Sequence, residues 1–442
     1  MSDKCKVLDT DVVIAGAGAA GCTLARELSK MGKKVVLIEQ GTYSKRFFGN
    51  PLGILSRMEK SPHLFPMRRT TEGYSVILGR GVGGGTLMYC GSAFLPGEEY
   101  WKEYGLEFPR EMIDEAAKET WYTMPPDEFI GQGTRRIWEA ANGIGLPFEK
   151  VARHVDFSKC VVGCDGCVMG CYRDAKWTAM KYADEAVKNG ATLLASTRVT
   201  DIIIENGIAG GVKAKGKDGE YRINAKVTIC ACGGVHTAGL LQRIGIKEAG
   251  GWFTGDPTTF SFGFLKEGRG NAHEHSMTVG WHDEENGVVY CAMASPMISW
   301  HMQFLQDELL KYLTRMQRYG KVLSVFEKVS DEGRGTCYPN GKISKTFTDK
   351  DWKVFKHARA TAEKILVKAG CDPSDIHHSN FVLGHPSSTV KVGVLLDTNL
   401  ETQIKNLYCC DTSVFPKAPG RPPALTVVVL AKRLARHLEA IT

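Results

Sequence analysis

D-V-V-I-A-G-A-G-A-A-G-C-T-L-A-R-E-L-S-K-M-G-K-K-V-V-L-I-E-Q-G, residues 11 to 41, is the stretch whose reading decides the fold. Asp11 to Ala15 reads as a buried parallel strand. Gly16, Gly18 and Gly21 make a tight turn into a helix whose apolar face carries Leu24, Leu28 and Met31. A second strand, Val35 to Ile38, ends in Glu39. The glycines let the backbone approach a pyrophosphate at the helix N-terminus, and Glu39 is placed to accept hydrogen bonds from a ribose. A lone GxGxxG is weak evidence, the alternative being a glycine turn with no ligand. Strand, helix, strand and acid in this order predict dinucleotide binding.

Downstream, Leu78-Gly79-Arg80-Gly81-Val82-Gly83-Gly84-Gly85-Thr86 leaves open backbone amides for a second close approach, most simply to the same cofactor. At 442 residues the chain exceeds what one hydrophobic core organises, so two lobes are expected. With 43% hydrophobic and 24% charged residues it reads as soluble and globular. The amino terminus shows no signal-peptide pattern, which predicts a cytoplasmic location. The run Ala424 to Ala431 is far too short to span a bilayer, so no integral membrane segment is expected. A net charge of +7 is modest for this length, and no nucleic-acid partner is expected.

A second feature is K-C-V-V-G-C-D-G-C-V-M-G-C-Y, which places Cys160, Cys164, Cys167 and Cys171 at C-x3-C-x2-C-x3-C spacing with Gly163, Gly166 and Gly170 between them. Four thiolates converging on one centre need a cation or a covalent partner: an iron-sulfur cluster, zinc or two disulfides. The short, unbroken run favours a cubane [4Fe-4S] cluster, with a three-iron form, zinc and disulfides as alternatives. The 14 cysteines of a chain without an export signal also point to reduced thiols.

Residues 101 to 150 look mainly helical, as does Trp177 to Asn189. Thr192 to Ile204 and Gly211 to Thr228 alternate like antiparallel strands, and Val227 to Gly234 returns as a buried strand ending in glycines. That late return makes the cofactor domain discontinuous. Between 252 and 384 the alternation of Phe260, Phe262 and Phe264, followed by Trp281, Met293, Met297, Trp300, Met302 and Phe304, suggests a second sheet partly lining an apolar pocket. Helices are expected at about 301–318, 350–370 and Thr426 to about Leu438.

Taken together, these motifs resemble the glucose-methanol-choline family of FAD oxidoreductases. Arg80 to Thr86 is similar to its G-R-x-x-G-G-S-S signature, Ile229 to Ile246 to its A-A-G-x-x-x-S-P-x-L-L segment, Asn406 to Pro416 to N-L-x-V-x-D-x-S-x-F-P, and His385 to Thr389 to H-x-x-G-T. Within the family, the cysteine run resembles the iron-sulfur-bearing dehydrogenase subunits and the long-chain alcohol oxidase branch. The resemblance implies an α/β fold: a discontinuous Rossmann-like FAD domain (1–100, 190–250 and 385–442), an α+β substrate domain on an antiparallel sheet (101–150 and 251–384), and a cysteine-rich cluster loop with its following helix (151–189). It implies non-covalent FAD held by Gly16, Gly18, Ala20, Gly21, Glu39, Gln40, Arg80, Gly83, Gly84, Gly85, Thr86, Val199, Cys232, Gly233, Asp411 and Pro422.

By the same resemblance, His385 acts on a substrate hydroxyl while hydride passes to the flavin. The sequence departs from the family at Gly420-Arg421-Pro422-Pro423-Ala424-Leu425-Thr426, where Pro422 replaces the usual second active-site Asn or His. Proline has no side-chain donor, so a second donor must come from the middle lobe, with His273, His275, His282, His301 and Tyr290 as candidates. The favoured expectation is a dehydrogenase of a small or apolar CH-OH donor, passing electrons through the [4Fe-4S] cluster to or from a redox partner protein or carrier, as a subunit of a larger complex. The alternatives are a flavin and iron-sulfur enzyme acting on a carbon-carbon bond, and a non-catalytic electron-transfer subunit.

Overall fold

The structure is a computed structural model and describes residues 5–46, 48–59, 67–294 and 316–440. His301 and the aromatic and methionine residues expected at 297–304 lie outside the described residues. The opening stretch folds as read: strand β1 (Lys6–Ala15), helix α1 (Ala19–Lys30) and strand β2 (Val35–Ile38). Val12–Ala15 pairs in parallel with Val35–Ile38, and the last four residues of β1 are wholly buried, as the continuous apolar run of a parallel strand covered on both faces requires.

Five further strands complete a seven-stranded sheet: β3 (Thr192–Leu194), β4 (Arg198–Glu205), β5 (Ile208–Gly216), β6 (Gly219–Cys230) and, from the last quarter of the chain, Leu407–Cys409. The order is β3-β2-β1-β6-β5-β4, with Leu407–Cys409 parallel to β6. β1 and β6 run in parallel along nearly their whole length. The sheet is therefore built from three separated parts of the chain, the arrangement that a late-returning strand demands. Helix α2 (Gly233–Arg243) follows β6, and α1 packs against the closing helix Ala424–Glu439.

The second sheet has nine strands and is antiparallel through its centre. Its middle strands are β7 (Pro257–Leu265), β8 (Val279–Asp283), β9 (Val288–Ala292) and β10 (Val322–Val329). Every residue of β7 and of β10 is buried, because helix Asp349–Lys368 covers one face while the other looks toward the first sheet. Two short strands, Arg68–Arg69 and Ser75–Val76, also join this sheet at one edge. The fold is thus a Rossmann-like FAD-binding sheet with an antiparallel substrate sheet. Residues 160 to 171 belong to neither; they form an irregular loop with one 3-10 turn, Gly166–Met169. Among the described residues no helix is long and apolar enough to cross a membrane.

Candidate functional site

Between the sheets lies a cavity of about 720 Å³, and the two glycine stretches meet at its wall. Gly83 N–H donates to Ala17 O at 2.7 Å. A Cβ at Gly84, where φ is +52°, would stand 2.8 Å from Gly18 Cα, so the loops approach as only glycine allows. Gly18 and Gly85 line the cavity and have no protein atom within 4 Å of where a Cβ would be. Their backbone faces open space, the bare approach that a pyrophosphate needs.

Gly16, Ala20, Gln40, Gly84, Thr86, Val199, Cys232 and Gly233 line the same cavity. Gly21, Arg80 and Gly83 do not: a Cβ at Gly21 would run into Gly16 O, Gly83 shapes the loop, and the exposed Arg80 reaches back to Gln40 O at 3.4 Å. Glu39 lines the cavity with its carboxylate already engaged by backbone amides, Ala17 at 3.1 Å, Gly41 at 2.7 Å and Gly81 at 3.2 Å. Two oxygens offer about four lone-pair positions, so roughly one remains for a ribose hydroxyl. Asp411 likewise accepts from Gly233 N at 2.7 Å, Thr237 Oγ1 at 2.6 Å and Ser413 N at 2.7 Å, pinning the start of α2 to the loop after Cys409. Its carboxyl is pushed above the usual range by burial, against these hydrogen bonds.

At another part of the wall stand His385 and Pro422. His385 Nδ1 lies 3.1 Å from Asp256 Oδ2, and the other oxygen of Asp256 accepts from Gly420 N at 3.0 Å. Asp256 is wholly buried and holds a left-handed backbone, φ +46°, unusual for a residue with a side chain. Its own N–H donates to Asp331 Oδ1 at 2.9 Å, and Asp331 pairs with Lys345 at 2.6 Å, both side chains fully buried. The acid therefore sits at the crossing from the first sheet into the second and fixes His385 and the loop before Pro422 together. Burial, and then the ammonium of Lys328, hold the imidazole down at about 4, against the pull of Asp256. The ring is neutral near pH 7, with Nδ1–H given to Asp256 and Nε2 left as an acceptor.

None of His273, His275, His282 and Tyr290 lines the cavity, so none is the second donor that Pro422 lacks. His275 Nε2 bonds Val161 O at 2.9 Å, His273 faces Asp165, and Tyr290 stacks on Trp281 at 5.6 Å. The sequence reading missed Asp256 and Lys328; nothing local marks an acid at a strand start or a lysine within a buried strand. It also missed a polar wall in which His236 Nε2 and Glu59 Oε2 stand 2.5 Å apart, with Arg68 Nη1 2.7 Å from the same carboxylate. Beyond His385 the lining is mainly apolar, with Phe260, Met277, Met293 and Phe326, Phe260 and Phe326 edge to face at 5.7 Å, and Thr258 and Lys328 beside them.

The expectation of a [4Fe-4S] cluster is corrected. Among the described residues no group of three or more His, Cys, Asp or Glu could hold a metal ion. Cys160, Cys164, Cys167 and Cys171 border one small cleft of about 20 Å³, room for about one water and not for a cubane. All four are free and only partly exposed. Burial pushes the Cys160 thiol up to about 11 and raises that of Cys164. Protein cations occupy the loop: Arg153 Nη2 stands 3.5 Å from Cys167 Sγ, and Lys176 Nζ donates to Cys167 O at 2.7 Å. With the cluster go the electron relay through it, the cluster loop as a part of the fold, and the placement of the chain in an iron-sulfur branch.

The fold and this cavity define an FAD-dependent oxidoreductase. Family models described as GMC oxidoreductase match residues 10–256 and 345–431, and the chain belongs to that family. It is 24% identical to the long-chain-alcohol oxidase FAO4A of Arabidopsis thaliana, over 98% of this chain and 68% of that one. It is 25% identical to an uncharacterized protein of Methanocaldococcus jannaschii, over 97% and 99% of the two chains. Among solved structures, pyridoxine 4-oxidase from Mesorbium loti shares the fold with a TM-score of 0.71 at 16% identity, covering 97% of this chain and 99% of that one. Formate oxidase matches with a TM-score of 0.73 at 14% identity, covering 99% of both chains.

Proposed function

We propose that the cavity holds FAD non-covalently along the two glycine loops, and that the enzyme oxidises the CH-OH group of an organic substrate with an apolar body. The observation that carries this reading is the dyad of His385 and Asp256 in the cavity wall beside Pro422, facing Phe260, Met277, Met293 and Phe326. Gly16, Gly18, Gly84 and Gly85 would cradle the pyrophosphate, and Glu39 would take a ribose hydroxyl. FAD, when bound, supplies the acceptor for the hydride and its electron pair.

His385 does the proton chemistry. Its neutral Nε2 takes the hydroxyl proton, and the imidazolium so formed is stabilised by the buried carboxylate of Asp256. The hydrogen bond at Nδ1 fixes both tautomer and ring orientation, so little reorganisation remains at the moment of reaction. The four apolar side chains shed water and hold the body of the substrate. The names of the Arabidopsis relatives, long-chain-alcohol oxidases, agree with an apolar alcohol.

Anaerobic addition of primary alcohols of graded chain length to the FAD-loaded protein tests the reading. Bleaching of the flavin that strengthens with chain length is expected. An enzyme that no alcohol bleaches, but that oxidises a C–C bond, would replace it.

A further inference from the structure

On β10, side chains alternate between the two faces of the sheet, and Phe326 and Lys328 share the face that lines the cavity. The strand partners of Phe326 and Lys328 on β7 are Phe260 and Thr258, which line it too. An apolar floor thus carries one ammonium, only 1% exposed. Burying such a charge is costly, and a core position of this kind ordinarily takes another apolar residue. Two of the ammonium's three donors have neutral acceptors, Thr258 Oγ1 at 3.2 Å and the carbonyl of Asp256 at 3.3 Å. The nearest anion, Asp256 Oδ2, is 3.8 Å away and is shared with His385. Among the described residues the third donor has no hydrogen-bond acceptor. Gly384, next to His385 and also on the cavity, adds no side chain between the two: its Cβ would have stood 3.6 Å from Nζ.

We infer that Lys328 is a catalytic residue that binds the reacting oxygen of the substrate, in the role that Pro422 leaves vacant, and that the site accordingly takes small carboxylates as ligands. This rests on the reaction proposed above. In that reaction the O–H proton goes to His385 Nε2, the C–H hydrogen leaves with its electron pair to the flavin, and the C–O bond becomes C=O. Lys328 gains and loses nothing; it holds the oxygen while that oxygen carries negative charge. Burial weakens the hold of Lys328 on its proton, and the carboxylates of Asp256 and Asp331 oppose that; as an ammonium in a water-poor pocket it does this more strongly than an amide side chain would. Specificity follows, because an ammonium favours substrates whose oxygen becomes anionic and analogues that carry the anion from the start.

The test compares FAD-loaded parent with Lys328→Met, after both are shown to have equal flavin content and melting temperature. Benzoate, followed by the change in flavin absorption, is expected to bind the variant at least 30-fold more weakly, while the uncharged benzamide changes less than 3-fold. Flavin reduction by alcohol is expected to slow at least 100-fold, and methylammonium is expected to restore part of the rate in Lys328→Ala, which a purely structural role would not produce. Parental benzoate affinity and parental rate in Lys328→Met would overturn the inference. Should that variant fail to take up FAD, Lys328→Arg against Lys328→Gln reads the same contrast, with charge the deciding property. Benzoate binding through Lys328 in an enzyme that oxidises no alcohol would refute the reaction and leave the oxygen site standing. Alcohol oxidation that ignores Lys328 would do the reverse.

Discussion

Asp256 Oδ2 stands 3.1 Å from His385 Nδ1 across 129 residues of sequence, and the acid that makes this contact has no solvent exposure. A buried carboxylate with this partner fixes which ring nitrogen keeps its proton. Asp256→Asn retains an oxygen for Gly420 N–H but loses the charge that stabilises the imidazolium. The rate of flavin reduction by substrate should fall about 100-fold or more, with FAD content unchanged. Stopped-flow reduction under anaerobic conditions measures it, and an unchanged rate would mean that the acid does not orient the ring.

Acidity offers a second check. His385 serves as a base only while neutral, and its folded value lies near 4, lowered by burial and then by Lys328. The reduction rate should therefore be level across neutral pH and fall about tenfold per pH unit below roughly 4. Removing the neighbouring positive charge in Lys328→Met should move this acidic limb upward. A limb at about 6.5 in the parent, the value of a free imidazole, would contradict the assigned environment.

Gly18 separates folding from cofactor binding. Apart from its two chain neighbours, no described residue comes within 4 Å of its missing Cβ, so Gly18→Val should leave the melting temperature of the apoprotein within about 2 °C of the parent. The isopropyl group would fill the space that a pyrophosphate needs, and FAD affinity should drop at least 100-fold. Isothermal titration of apoprotein with FAD reads this directly; parental affinity would move the cofactor elsewhere.

On the opposite face of β10, Glu327 is buried, and desolvation raises it to about 7 from 4.5. Its Oε2 accepts from Thr259 Oγ1 at 2.5 Å, and Ser261 also hydrogen-bonds the carboxyl. Between pH 4.5 and 7 the folded chain keeps a proton that the unfolded chain has released, so the parent loses stability as pH rises through that window and stays lower above it. Glu327→Gln keeps an acceptor for Thr259 and never charges. It should match the parent near pH 4 and exceed it near pH 8 by on the order of 2 kcal/mol, read from urea unfolding at both pH values. Equal stability at pH 8 would show that the carboxylate carries no such cost.

What could be read from the chain alone was whatever is encoded by neighbours in sequence. Gly16, Gly18, Glu39 and the strand and helix around them declare themselves within thirty residues, because a tight turn and a buried strand each have local requirements. The return of β6 was legible for the same reason, as an apolar run ending in glycines. Asp256 and Lys328 were not legible, since their meeting is produced by the register that sets Thr258 opposite Lys328. His385 could be located only by family resemblance, and its partner not at all. The cysteine spacing misled in the opposite way. Regular intervals in sequence suggested a common centre, but whether four sulfurs can share an ion depends on packing, and here Arg153 and Lys176 enter the loop.

The left-handed turn at Asp256 has a consequence for how this architecture can vary. The central strands of the substrate sheet begin at the next residue and include Lys328, whereas His385 lies in the loop that leads back to the cofactor sheet and Pro422 just before the closing helix. The two halves of the chemistry are thus divided between the parts of the molecule that would be exchanged to alter substrate preference. Grafting a foreign substrate sheet from residue 256 onward would bring a new floor and a new oxygen-binding group, but would orphan the imidazole unless the graft also reproduced the buried acid at its first corner. The two sheets are therefore joined by the chemistry at this seam and are not interchangeable modules.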